Sequence, residues 1–201
     1  MRFLQYRVAL LSACLPMAIA VTACNQPPVA QAPAATTAPA STASSMTPAQ
    51  RGELLIFGGG CHDCHTPKKL TAAGPEPDMS LSLSGHPEKI EIKAPFKPAA
   101  RSPWTIATTD TLTAWSGAWG VSFAANLTPD KETGLNMSER NFVIAIKTGS
   151  HLGTARPILP PMPWQQYSHL PEEDLKAMYA YLQTIPPIKN QVPAPIPPAG
   201  K

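Results

Sequence analysis

Charge is scarce in this chain: Asp, Glu, Lys and Arg together make up 14% of its 201 residues, and aromatic side chains 6%. No basic stripe or polybasic run occurs, which argues against nucleic acid as a partner. The formal net charge is +3, and Arg2 and Arg7 at the extreme N-terminus supply part of it, so the rest is close to neutral. Long hydrophobic runs are also lacking. The best, Val8 to Val21, is interrupted by Ser12 and Pro16 and is too short and broken for a comfortable membrane span. Only four cysteines occur, Cys14, Cys24, Cys61 and Cys64, and the first two lie in what reads as a leader, so a four-ligand zinc site is short of soft ligands. No constellation of nucleophile, general base or catalytic metal ligands is visible, and the chain is not expected to be an enzyme. Proline, by contrast, is abundant at 25 residues and concentrates at the ends and in loops.

Residues 1–23 have the layout of a secretory signal: two arginines, an apolar core, then small residues. Its end, Val21-Thr22-Ala23-Cys24, resembles the lipobox of bacterial lipoproteins. That resemblance makes Cys24 the acylated first residue of the mature protein, anchored to a membrane. The alternative is an incidental Cys24 and a soluble periplasmic protein cut nearby. Residues 24–46 are rich in Pro, Ala and Thr, a composition that cannot bury a core, and they read as a linker. The main domain is expected at residues 47–189, followed by a Pro-rich, disordered tail at 190–201.

Cys61-His62-Asp63-Cys64-His65 is the most informative stretch. It spells CxxCH, in which two thiols can form thioethers to the haem vinyl groups while the adjacent imidazole reaches the iron. A redox dithiol would want a strand before the motif and a helix opening at its first cysteine. Here a helix-like segment and Gly58-Gly59-Gly60 precede it. The reading is one covalent haem c per chain, since no second CxxCH occurs.

Around that motif the chain predicts helices. Thr47, Pro48 and Gln50 open the first with a capping box, Leu54, Leu55 and Phe57 supply its buried face, and the glycines end it. Ser138 caps another, with Phe142, Val143, Ala145 and Ile146 at helical spacing and Gly149 as its stop. The last begins at Pro171-Glu172-Glu173-Asp174, carries Leu175, Met178, Tyr179 and Leu182 as its stripe, and is expected to lie across the first helix near Gly52. Between them, Thr111 to Trp115 alternates like a strand or hairpin, and Ile90 to Ile92 reads as extended. Trp104, Trp115 and Trp119 are expected to pack against the macrocycle. Polar residues in the turn-rich loop Asn126 to Gly134 could bond a haem propionate, with plain turn chemistry as the simpler account.

Met162 lies in Pro160-Pro161-Met162-Pro163-Trp164, where a rigid backbone and the lack of a helix face leave core filling a poor explanation. It is the expected sixth ligand. Met79, Met137 and Met178 compete for that role, as do His86, His151 and His169, which would give a bis-histidine iron of lower potential.

Helix, CxxCH, proline loop, helix, methionine loop and closing helix resemble the monohaem class I cytochromes c. The strings GGCHDCHTP, LSGHP, ANLTPDKETGL, PPMPW and DLKAMYAYL resemble, more closely, a group of bacterial exported cytochromes c, over about Pro48 to Asn190. The resemblance implies a mainly α class I cytochrome c fold with extended loops, leaving room for a short β-hairpin before the methionine loop. It also implies thioether bonds at Cys61 and Cys64, His65 as proximal and Met162 as distal iron ligand, and haem attachment outside the cytoplasm. In that family a proline carbonyl in the loop after CxxCH often accepts from the proximal imidazole, and Pro75 is the matching residue. The stretch between the two ligands is longer than in a minimal cytochrome c. Electron transfer follows, with a redox protein as donor and another as acceptor, on the periplasmic side of a membrane. Similar modules serve as cytochrome subunits of dehydrogenase or oxidase complexes, and a haem ligand sensor is the third reading.

Overall fold

The structure, a computed structural model, describes residues 46–98, 102–151 and 156–198. The leader, Cys24 and all but the last residue of the linker lie outside that range.

α1 (Pro48–Gly58) begins as its sequence dictates. Thr47 N donates to Gln50 Oε1 at 2.9 Å and Gln50 N to Thr47 Oγ1 at 3.2 Å, so the capping box satisfies two otherwise orphan donors. Its buried face differs from the expected one: Gly52 and Ile56 point inward, while Leu54 and Phe57 stay 59% and 52% exposed. The reason is the closeness of α5 (Glu172–Leu182), which crosses at Gly52. A Cβ there would lie 1.9 Å from the Ala177 carbonyl oxygen. With the crossing fixed at Gly52, the residue one turn on, Ile56, faces the core. Phe57 turns aside to pack on the His62 ring, centroids 4.4 Å apart. On α5 the expected stripe is buried at Leu175, Met178 and Leu182, joined by Ala177 and Asp174. Arg51 of α1 holds the Asp174 carboxylate with two hydrogen bonds.

α2 (Cys61–His65) is the short helix of the CxxCH motif. After it the described chain contains no α-helix until α3 (Glu139–Thr148). The intervening region instead forms two small antiparallel sheets. One is the hairpin β1 (Lys68–Thr71) and β2 (Gly74–Pro77). The other is three-stranded in the order β3 (Ala107–Thr108), β4 (Ala114–Gly117), β5 (Gly120–Phe123). Among the described residues helix accounts for 31% and strand for 14%, so the expectation of a mainly α fold is corrected: helices are joined by two small sheets and much irregular chain. Prolines at 67, 75, 77, 87, 95, 98 and 103 break helix continuity, and the β-branched residues between them suit strands. The hairpin expected before the methionine loop is β4–β5. Thr111 to Ala114 is not uniformly strand, because Leu112 sits at φ 51° in a turn.

α3 is capped by Ser138, whose Oγ accepts from Asn141 N at 3.3 Å, and ends at Gly149 with φ 68°. It buries Phe142, Val143, Ala145 and Ile146, the four residues its periodicity marks. A short helix the sequence did not announce, α4 (Trp164–Tyr167), follows the Met162 loop. The core joins Ile56, Cys61, Leu83, Phe142, Val143, Ile146, Leu175, Met178 and Leu182, so one CxxCH cysteine is itself a core residue.

The C-terminal stretch read as a disordered tail is docked through residue 198. Asn190 Nδ2 donates to the carbonyls of Ser84 at 2.7 Å and His86 at 2.9 Å, and its Oδ1 accepts from Glu88 N at 2.9 Å. Further on, Val121 and Ile196 exchange backbone hydrogen bonds of 2.8 and 3.0 Å at the edge of β5. Proline-rich chain suits that position, because an edge partner needs few donors.

Candidate haem site

The CxxCH helix starts from Gly60 at φ 71°, a conformation that favours glycine. Cys61 is buried and Cys64 half-buried, and both are free thiols. Burial pushes the Cys61 thiol up to about 12 and also raises Cys64, with the negative Asp63 adding to both.

His65 is 9% exposed, and its Nδ1 lies 2.8 Å from the Ala125 carbonyl oxygen. A carbonyl only accepts, so Nδ1 carries the hydrogen. Burial is the main influence on the ring and lowers its proton affinity, the Ala125 bond opposes it, and His62 lowers it further. A neutral imidazole with Nδ1 donating leaves the Nε2 lone pair for a metal, and the bond fixes the ring's orientation. The partner is therefore Ala125 and not Pro75, which is exposed on β2 opposite Leu70.

Two further bonds place Ala125. Gly85 N donates to His65 O at 2.8 Å and His86 N to Ala124 O at 3.0 Å, so Ser84-Gly85-His86 is wedged between α2 and the strand leaving β5. Gly85 has φ 79°, and a Cβ on it would lie 2.5 Å from Ala124 O.

Cys61, Cys64, His65 and Met162 all line one cavity of about 460 Å³. That size falls within the range of small-molecule and cofactor sites, roughly 300–1,000 Å³. Its wall is largely apolar, with Leu127, Leu135, Phe142, Ile146 and Leu182 prominent. Of the competing ligands, Met137, Met178 and His151 also reach the wall, while Met79 is exposed at the surface and His169 is exposed as well. His86 is fully buried with both nitrogens engaged, Nδ1 with Thr113 Oγ1 and Nε2 with the Ile90 carbonyl, each at 2.9 Å.

Other expectations sort themselves the same way. Trp115 lines the cavity, Trp119 donates its indole N–H to Ser122 at 3.1 Å, and Trp104 is 74% exposed and screens nothing. In the loop read for propionate contacts, Asp130 Oδ1 accepts from Glu132 N, Thr133 N and Thr133 Oγ1, and Asn126 Nδ2 donates to Ile188 O at 2.8 Å. Turn chemistry uses those groups. Three participants carried no usable sequence signal: Ala125, which acts through its backbone; Ser122, whose hydroxyl donates to the Pro160 carbonyl; and Tyr167, whose hydroxyl donates to Gly59 O.

Two thiols and an imidazole in one helical turn, facing a largely apolar cavity that a methionine shares, are side chains that could hold a c-type haem. No family model matches the chain. It is 32% identical over 150 residues to the alcohol dehydrogenase (quinone) cytochrome c subunit of Gluconobacter oxydans, across 73% of this chain and 23% of that one. It is 34% identical over 87 residues to the fructose dehydrogenase cytochrome subunit of Gluconobacter japonicus, 40% of this chain and 18% of that one. Over 77 residues it is 31% identical to a nicotinate dehydrogenase subunit of Pseudomonas putida, 38% of this chain and 6% of that one. The first two relatives are named as cytochrome subunits of dehydrogenases, and these likenesses support kinship with cytochromes c. The matched regions span less than a quarter of the length of each of these relatives.

Proposed function

We propose that this chain is a non-catalytic electron-transfer protein carrying one covalent haem c, and that it works as the cytochrome module of a dehydrogenase outside the cytoplasm. The observation that carries the reading is the shared cavity: CxxCH and Met162, far apart in sequence, line the same largely apolar wall. Cys61 and Cys64 would hold the group through thioethers, His65 Nε2 would bind its iron, and Met162 would supply the second axial ligand. A haem bound there supplies a one-electron couple. His65 is held in register by Ala125, and the apolar residues keep water from the site. With His65 and Met162 both bound to the iron, no coordination site would be left for substrate, which fits a carrier and not a catalyst. The dehydrogenase partner is supported by the names of the relatives, which are dehydrogenase subunits. A leader at residues 1–23 followed directly by Cys24 supports export and lipid anchoring on the periplasmic side of a membrane.

The test is absorption spectroscopy of the full chain made in cells competent for haem attachment. Expected are one haem per chain, held through denaturation, a ferric charge-transfer band typical of methionine ligation, and resistance of the ferrous form to carbon monoxide. Met162→Ala should abolish the band and admit carbon monoxide. An unchanged spectrum in that variant would refute the distal assignment, and wild-type protein that takes up carbon monoxide readily would favour a ligand sensor. Cys24→Ser is expected to move the protein from the membrane to the soluble fraction.

A further inference from the structure

The segment carrying Met162 is fastened on both sides of the methionine. Upstream, Ile158 N donates to Gly149 O at 2.8 Å and the Ser122 hydroxyl to Pro160 O. Downstream, the Trp164 indole covers Gly149, where a Cβ would come within 2.2 Å of the ring. Lys147 Nζ donates to the carbonyls of Ser168 and Leu170 at 2.8 and 2.6 Å. All of these tie the segment to α3 and β5. One hydrogen bond goes elsewhere: Tyr167 Oη donates to Gly59 O at 2.5 Å, in the turn between α1 and the CxxCH helix. Among the described residues it is the one hydrogen bond joining the Met162 segment to that turn.

The turn is shaped to receive it. The ring lies against Gly59, where a Cβ would just touch Tyr167 Cε1 at 3.4 Å but would collide with Leu55 O at 2.6 Å, so a side chain there would shift the turn. Tyr167 also lines the cavity beside Cys61 and Cys64. Burial is the main influence on its phenol and pushes it up to about 12, so it stays a donor at any physiological pH.

We propose that Tyr167 is a positioning residue that latches the Met162 segment to the haem-attachment turn through the Gly59 carbonyl, and so sets how firmly Met162 stays in place. The inference rests on Met162 being the second axial ligand. The latch does not touch the ligand; it restrains the piece of chain that must swing for the thioether to leave.

The experiment compares haem-loaded Tyr167→Phe with Tyr179→Phe, which loses a similar phenol-to-carbonyl bond, Tyr179 Oη to Met137 O at 2.8 Å, outside the Met162 segment. The readout is the rate at which added imidazole displaces the distal ligand of the ferric protein, followed by loss of the methionine band. Tyr167→Phe should exchange roughly tenfold faster than wild type, the scale expected for removing one hydrogen bond that holds the closed form. Tyr179→Phe should stay within about twofold of wild type even where its thermal stability falls as far. Gly59→Ala, which keeps the hydroxyl but drives a methyl group into Leu55 O and so displaces the accepting turn, should shift exchange the same way and serves if Tyr167→Phe accumulates poorly. Exchange in Tyr167→Phe equal to that in Tyr179→Phe overturns the latch. A Met162→Ala protein with the wild-type spectrum overturns the ligand assignment itself, a separate failure read before any exchange is measured.

Discussion

At the scale of single residues, the groups expected to carry chemistry stand out in the sequence, whereas the contacts that position them do not. CxxCH announces itself by spacing alone, and a methionine among prolines is hard to explain as filler. The acceptor for His65 could not be read, because it is a backbone carbonyl 60 residues away and any residue type supplies one. Asp174 was legible only as a helix-start charge, yet the structure buries it against Arg51. The Arg51 hydrogen bond holds its carboxyl below the usual carboxylate range, burial opposes, and Arg51's charge adds to the lowering. Its folded-state pKa lies below the unfolded value of about 3.9, so the stability it contributes is complete above that value and is lost as pH falls through the folded one. Asp174→Asn is therefore expected to be less stable than wild type at neutral pH, with the gap closing below about pH 4, as urea midpoints across pH would show.

At the scale of elements, capping and stop signals were read well, and buried faces were read well only where periodicity was strong. α3 is the clear success: cap, four-residue apolar face and glycine stop all fall where the sequence puts them. α1 shows the limit, because its contact with α5 is made by the absence of a side chain at Gly52, and an apolarity count gives glycine little weight. Gly52→Ala would drive a methyl group into the Ala177 carbonyl. The expected cost is about 3 kcal/mol, seen as a lowered denaturant midpoint with the CxxCH helix left intact. The small sheets were only partly visible. β4 overlaps the alternating stretch Thr111 to Trp115 only at Ala114 and Trp115, whereas β1–β2 is held by pairing between largely exposed strands with little hydrophobic pattern.

At the scale of the molecule, the sequence overstated helix because capping and apolar periodicity mark the helices clearly, whereas the long proline-bearing middle carries few signals of either kind. It also dismissed the C-terminal stretch, whose proline content resembles that of a disordered tail. Asn190 shows why composition misleads: one side chain closes hydrogen bonds to three backbone groups around Ser84 to Glu88. Asn190→Ala would leave those groups unpaired beneath the surface, for an expected loss of about 2–4 kcal/mol. Truncation after Lys189 should cost at least as much, with both measured by thermal melting of the haem-loaded protein. The docking of Ser84-Gly85-His86 between α2 and Ala124 has a consequence for any attempt at miniaturisation. A peptide cut to residues 47–98 would keep both thiols and the imidazole but leave behind the peptide group that stops the ring from spinning. On the proposed ligation such an excised fragment would lose Met162 and the Ala125 carbonyl together, so any porphyrin it took up would face an imidazole of unfixed orientation with no methionine opposite.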